Sequence, residues 1–140
     1  MSKNYQRKHL RAPYWQHILF VDEGHVHKGK GLNISQGGLL LHEIGHLPKG
    51  GEVQFLIYLP EFPLFKNYNL EKVQSFNPDN FIGQTIRFSA KHITRGEKIS
   101  ETEGVFMSKI AFEINQISKV DSMKLSRYVD NLSSNLIHLQ

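Results

Sequence analysis

Apolar and polar residues alternate along much of this chain. Val53, Phe55, Ile57 and Leu59 alternate with Gln54, Leu56 and Tyr58, the period-two pattern of a half-buried strand. Ile86, Phe88 and Ala90 alternate in the same way with Arg87, Ser89 and Lys91, and Ile110, Phe112 and Ile114 with Ala111, Glu113 and Asn115. Earlier, the apolar run Ile18-Leu19-Phe20-Val21 ends at Asp22-Glu23-Gly24, a hairpin-type turn. The next strand, from about His25 to Ile34, is poor in large side chains and carries Gly29 and Gly31. Gly37-Gly38 separates it from Leu39-Leu40-Leu41. Pro60 to Asn80 is a long, proline-containing excursion with one helical turn predicted around Leu70–Val73. Arg95-Gly96-Glu97 and Glu103-Gly104 break the chain between the Ile86 and Ile110 strands. From about Asp121, read as an N-cap, the period becomes helical, with Leu125, Tyr128, Val129, Leu132 and Leu136 on one face. Roughly six short antiparallel strands and one amphipathic helix predict a mainly β fold: a small closed barrel whose helix plugs a mouth or offers a dimer face.

Composition narrows the setting. At 140 residues there is room for one domain with one modest core, and a 39% apolar share is too high for a disordered chain. No apolar run approaches the roughly eighteen residues of a membrane helix. The polar start, Met1-Ser2-Lys3-Asn4-Tyr5-Gln6, has no apolar stretch of a secretory signal. Without cysteine there is neither a disulfide scaffold nor a thiol nucleophile, so a cytoplasmic setting without membrane insertion is expected. Charge changes the picture more. Before Asp22 the chain carries Lys3, Arg7, Lys8 and Arg11 and no acid. Residues 1–12 are therefore expected to form a flexible basic arm, and residues 13–140 the barrel with its helix.

Two short motifs carry candidate chemistry. Arg7-Lys8-His9-Leu10-Arg11 has the form R-x-x-x-R, and Asn33-Ile34-Ser35-Gln36-Gly37-Gly38 has the form [D/N]-x-S-x-x-G. An arginine fork pairs bidentately with guanine O6 and N7 or with phosphate, and its flat face stacks on a base. Asn33 and Ser35, two apart on a strand, face the same way and offer an amide and a hydroxyl, while Ile34 between them points to the core. Gly37 and Gly38 are expected to turn with positive φ and let the backbone approach a ligand.

At these residues the sequence resembles the PilZ domain, a bacterial receptor module for cyclic di-GMP. The similarity extends through Gly37–Leu41 and Gly51–Pro60, which look like the family's third-to-fourth strand passage, and through Ile110–Ile114 with the helix containing Arg127-Tyr128-Val129. It spans about Gln6 to Leu132, with Pro60–Asn80 longer than the family minimum. The resemblance implies a six-stranded antiparallel β-barrel with a C-terminal α-helix and no catalytic activity or resident cofactor. It implies that Arg7 and Arg11 bind cyclic di-GMP, with Asn33, Ser35, Gly37 and Gly38 completing the pocket and Gln6 influencing how many nucleotides bind. An arm that orders on binding would then present a new surface to a downstream protein.

Two rival readings arise. His42-Glu43-Ile44-Gly45-His46 matches H-E-x-x-H, in which two histidines one helical turn apart bind zinc and the glutamate acts as base in a metallopeptidase. Its slot, between Gly37-Gly38 and Pro48-Lys49-Gly50-Gly51, leaves about nine residues, marginal for a helix. One extended form of the motif wants Gly and His where Lys49 and Glu52 stand. Glu61 or Glu71 would serve another geometry, and His25 and His27 would add donors. In the barrel reading His42 and Glu43 end a strand and His46 sits in a loop. A nucleic-acid-binding barrel is suggested by basic charge and by Tyr5, Tyr14 and Trp15 read as exposed, but no stripe of alternating basic and aromatic residues accompanies them.

Overall fold

In the Val53–Leu59 alternation every odd position is buried and every even one exposed, so the strand presents one face to a core and the other to water. The computed structural model describes residues 10–49, 51–61, 69–80, 83–93 and 98–139, with backbone only for residue 78 and residues 133–139. Along them run β1 (Arg11–Pro13), β2 (His17–Asp22), β3 (His25–Ser35), β4 (Gly38–Ile44), β5 (Val53–Leu59), α1 (Leu70–Gln74), β6 (Gln84–Ile93), β7 (Ser100–Thr102), β8 (Val105–Ile117) and α2 (Lys119–Leu139). Strands β3, β2, β5, β6, β8 and β4 follow one another around a ring that pairing of β3 with β4 closes. All pairings are antiparallel. The result is the expected six-stranded barrel with a C-terminal helix, to which β1 and β7 add short pairings on β3 and β8.

Turn chemistry closes the hairpins. Glu23 and Gly24 take φ of 52° and 78° between β2 and β3, and Glu103 and Gly104 take 53° and 79° between β7 and β8. Two consecutive left-handed residues match the twist of flanking antiparallel strands. Strand β8 thereby runs for thirteen residues, well beyond the expected Ile110–Ile114.

The core is the set of inward positions of the ring. Phe55 lies at its centre, stacked on Phe88 at 5.2 Å and edge-on to Phe112 at 5.0 Å. Helix α2 contributes Leu125, Tyr128 and Val129 to the buried set. Its N-cap is Ser118 and not Asp121: Ser118 Oγ accepts from the Asp121 amide at 3.1 Å. Asp121 lies within the first turn, and its Oδ2 accepts from the Arg87 amide of β6 at 3.1 Å. A carboxylate in the first turn also suits the helix dipole, which hid the better cap three residues earlier.

β1 and β2 are nearly one strand laid along β3. The Tyr14 amide donates to the Leu32 carbonyl and the Gly31 amide to the Gln16 carbonyl, bridging the gap between their pairings. Tyr14 is fully buried, contrary to its reading as exposed; Trp15 is exposed. The Tyr14 hydroxyl donates to the Tyr58 carbonyl at 2.6 Å, while the Tyr128 hydroxyl donates to the Pro13 carbonyl at 2.8 Å and the two rings meet edge-on. Burial holds both phenols well above their usual pKa, so both remain donors. Gly31 makes room for this ring, since a Cβ there would meet the Tyr14 carbonyl and side chain.

At the end of β2, Asp22 is a buried carboxylate. His46 Nε2 donates to its Oδ2 at 2.7 Å and the Lys49 amide donates at 3.2 Å, so it anchors the loop after β4. His27 stacks on His46 with ring centroids 3.9 Å apart. Burial works to raise the Asp22 pKa, but the hydrogen bonds from His46 and Lys49 and the proximity of the two imidazoles outweigh it, and the net shift is downward. A depressed carboxylate contributes stability above its unfolded pKa of about 3.9 and loses it as pH falls through the lower folded value. Urea midpoints should therefore fall more steeply below about pH 4 in the wild type than in Asp22→Asn. Parallel acid limbs would show that Asp22 contributes nothing there.

Candidate functional site

Strand register brings the two motifs together. On β1 and β3, Arg11 stands opposite Ser35, Ala12 opposite Ile34 and Pro13 opposite Asn33. Ala12 and Ile34 are buried, so the alternate positions Arg11, Asn33 and Ser35 share the outer face. Arg11 is exposed there, and Asn33 and Ser35 are half-buried. Although the basic arm is expected to reach Ala12, Arg11 and Ala12 belong to a strand held against β3. Arg7 and Gln6 lie outside the described residues.

The turn after β3 is built by Ser35. Its Oγ accepts from the Gly37 amide at 3.2 Å and the Gly38 amide at 3.1 Å. The hydroxyl is thus engaged in shaping the turn, and its hydrogen-bond partners among the described residues are backbone groups of Gly37 and Gly38. Neither Gly37 nor Gly38 has positive φ, contrary to the expectation for this pair. The Gly37 carbonyl accepts from the Ile114 amide at 2.9 Å, continuing the pairing of β4 with β8. At Gly38 an added Cβ would lie 2.5 Å from the Phe112 carbonyl oxygen, so glycine permits two strands to approach. Gly38→Ala should therefore cost about 1–3 kcal/mol of stability, even with no ligand present. Thermal denaturation of the ligand-free protein checks this; an unchanged midpoint would leave only a ligand-contact role for the residue.

Gln36, an unconstrained position within its motif, ties this turn to the helix: its Nε2 donates to Ser126 Oγ at 2.6 Å. With the Tyr128–Pro13 bond, α2 is connected to both β1 and the turn after β3. An exposed glutamine beside a motif gives no signal of a partner ninety residues away.

No family model matches the chain, and no curated protein matches it in sequence. Solved structures match it in shape. The inhibitor of motility MotI/DgrA of Bacillus subtilis superposes with a TM-score of 0.60 at 18% identity, over 96% of this chain and 55% of its own. The PilZ domain of YcgR from Escherichia coli, solved with c-di-GMP, superposes with a TM-score of 0.53 at 11% identity, over 94% of this chain and 95% of its own. The chain has the fold of a PilZ domain.

In this fold the H-E-x-x-H residues do not form a helix. His42 and Glu43 lie on β4, while Gly45 and His46 come after it, so the helical stacking of i and i+4 that a zincin needs is absent. Glu43 is 3.2 Å from His42 Nε2 and 3.6 Å from Lys30 Nζ, and His46 is turned to Asp22. Glu61 pairs with Arg127 at 2.8 Å, and Glu71 lies on α1. His27 stacks on His46 and His25 is exposed. Among the described residues no group of three or more His, Cys, Asp or Glu is placed to hold a metal ion. Nor, among them, is any helix long and apolar enough to cross a membrane.

Proposed function

We propose that this PilZ-like domain is a cytoplasmic, non-catalytic receptor for cyclic di-GMP that acts as an adaptor. The observation that carries this reading is the register of β1 on β3, which sets Arg11 beside Asn33 and Ser35 on one outer face. An arginine next to the Asn33 side-chain amide suits a ligand combining guanine edges with phosphates. The solved PilZ domain of YcgR, of the same fold, holds c-di-GMP, which supports the choice of nucleotide.

In this reading Arg7 supplies the second fork, Gln6 influences the number of nucleotides bound, and Gly37 and Gly38 keep the turn close to the ligand. The arm from about Ser2 to Leu10 orders on binding. Its apolar side chains are essentially Tyr5 and Leu10, too few to offset the entropy of ordering, and its closely spaced cations repel one another until an anion lies between them. The ordered arm then presents a new surface to a downstream protein. Amide hydrogen exchange tests this directly. Protection should rise in the arm and around Asn33–Gly38 on adding cyclic di-GMP, less in Leu125–Leu136, and the change should weaken with salt. An arm equally protected without the nucleotide would contradict the switch while leaving binding itself intact.

A further inference from the structure

The outer wall of the barrel away from β4 carries an apolar groove of about 520 Å³, bordered by Leu19, Val21, Val26, Leu56 and Arg87. Register fixes its pattern. One cross-strand row reads Lys28, Leu19, Leu56, Arg87 across β3, β2, β5 and β6. The next outward row reads Val26, Val21, Gln54, Ser89, Gln116. Directly paired residues share a face, and the buried row containing Phe20, Phe55 and Phe88 lies between these two, so both point outward. Val26 is 66% exposed, Leu19 41% and Leu56 39%. Adjacent apolar positions on an outward face have no role in the core.

We propose that this groove docks an amphipathic helix of a partner protein whose apolar stripe is flanked on both sides by carboxylates. The charge pattern selects that chemistry. Arg87 lines one end of the groove, and the exposed Lys28, opposite Leu19 on β3, flanks the other end of the apolar row; the remaining polar lining residues are amides and hydroxyls with no carboxylate among them. At the rim, the carboxylate of Asp121 accepts the Arg87 amide and lies 3.7 Å from Lys124. Size fits as well. Three inter-strand steps separate Lys28 from Arg87 by roughly 14 Å, room for one helix of about 10–12 Å diameter lying along the strands. The apolar face of the helix covers Leu19, Val21, Val26 and Leu56, while its flanking carboxylates reach the two cations. This surface is separate from the Arg11 face, and its chemistry does not depend on nucleotide binding.

The test uses the full chain and two labelled synthetic helices of eighteen residues. Both carry the same leucine stripe, flanked by Glu in one and by Lys in the other. Fluorescence anisotropy should show the Glu-flanked helix binding about ten times more tightly or better, with Leu56→Asp abolishing that binding. Lys28→Glu combined with Arg87→Glu should reverse the preference; it leaves the apolar row intact and decides the matter if Leu56→Asp proves unstable. Equal binding of the two helices, or binding of neither, overturns the proposal. So does a concentration-dependent dimer in sedimentation, or flotation with phosphatidylglycerol vesicles, that the charge reversal abolishes, since a second copy or a lipid surface would then be the occupant.

Discussion

Arg11→Ala is expected to weaken cyclic di-GMP binding by roughly two orders of magnitude, about 3 kcal/mol. The residue stands opposite Ser35 on the outer face, so its loss removes a charged fork from the proposed site without opening the core. Arg11→Lys should recover little, because an ammonium neither stacks on a base nor pairs bidentately. The ligand-free protein should keep its fold in both variants, since the buried neighbours Ala12 and Ile34 stay in place; thermal denaturation checks this. Calorimetric affinities equal to the wild type would remove Arg11 from the binding site.

The largest effect on stability is expected from Tyr14→Ala, about 4 kcal/mol, out of a total that for domains of this kind is about 5–15 kcal/mol. The substitution empties a fully buried site, removes the edge contact with Tyr128 and leaves the Tyr58 carbonyl without its donor. It also loosens the seam between β1 and α2, where the Tyr128 hydroxyl holds the Pro13 carbonyl. Tyr14→Phe keeps the ring and loses the hydroxyl, and should cost about 1 kcal/mol. Denaturant titration of both variants checks the difference. A Tyr14→Ala protein as stable as Tyr14→Phe would mean that the ring contributes little to the core.

The strands that form the ring are legible where alternation is uninterrupted. β5, the centre of β6 and the Ile110–Ile114 part of β8 come directly from period two, because each has one face in the core and one in water. Tyr14 is not legible, since it sits in a three-residue gap between β1 and β2 beside an exposed tryptophan, and no local period assigns it a face. It is buried by the glycine-lined stretch of β3 against which it packs, a contact with a residue seventeen positions away. The helix is legible from its apolar face, but its first residue is not, because Ser118 and Asp121 are both good terminal residues and only the contact of Asp121 with Arg87 separates their roles.

The candidate site is half legible. Alternation alone puts Asn33 and Ser35 on one face and Ile34 on the other, as the strand has them. That Arg11 lies beside them depends on the pairing of a three-residue strand, too short to announce itself in any pattern. The two glycines are visible in the sequence, but the reason for Gly38 is not: it lets β4 approach β8 closely, and neither glycine is left-handed. The H-E-x-x-H string shows the same limit from the other side. Spacing is chemistry only on the element that gives it geometry, and on β4 and the loop after it the spacing loses its meaning.

The central claim is that cyclic di-GMP binds the face carrying Arg11, Asn33 and Ser35. A titration of the isotopically labelled full chain, monitored by amide chemical shifts, tests it most directly. Shifts that saturate at Arg11–Ala12 and Asn33–Gly38, and that disappear in Arg11→Ala, are the expected result. No saturable shift with cyclic di-GMP, or shifts confined to the Leu19–Leu56 groove, would contradict the account.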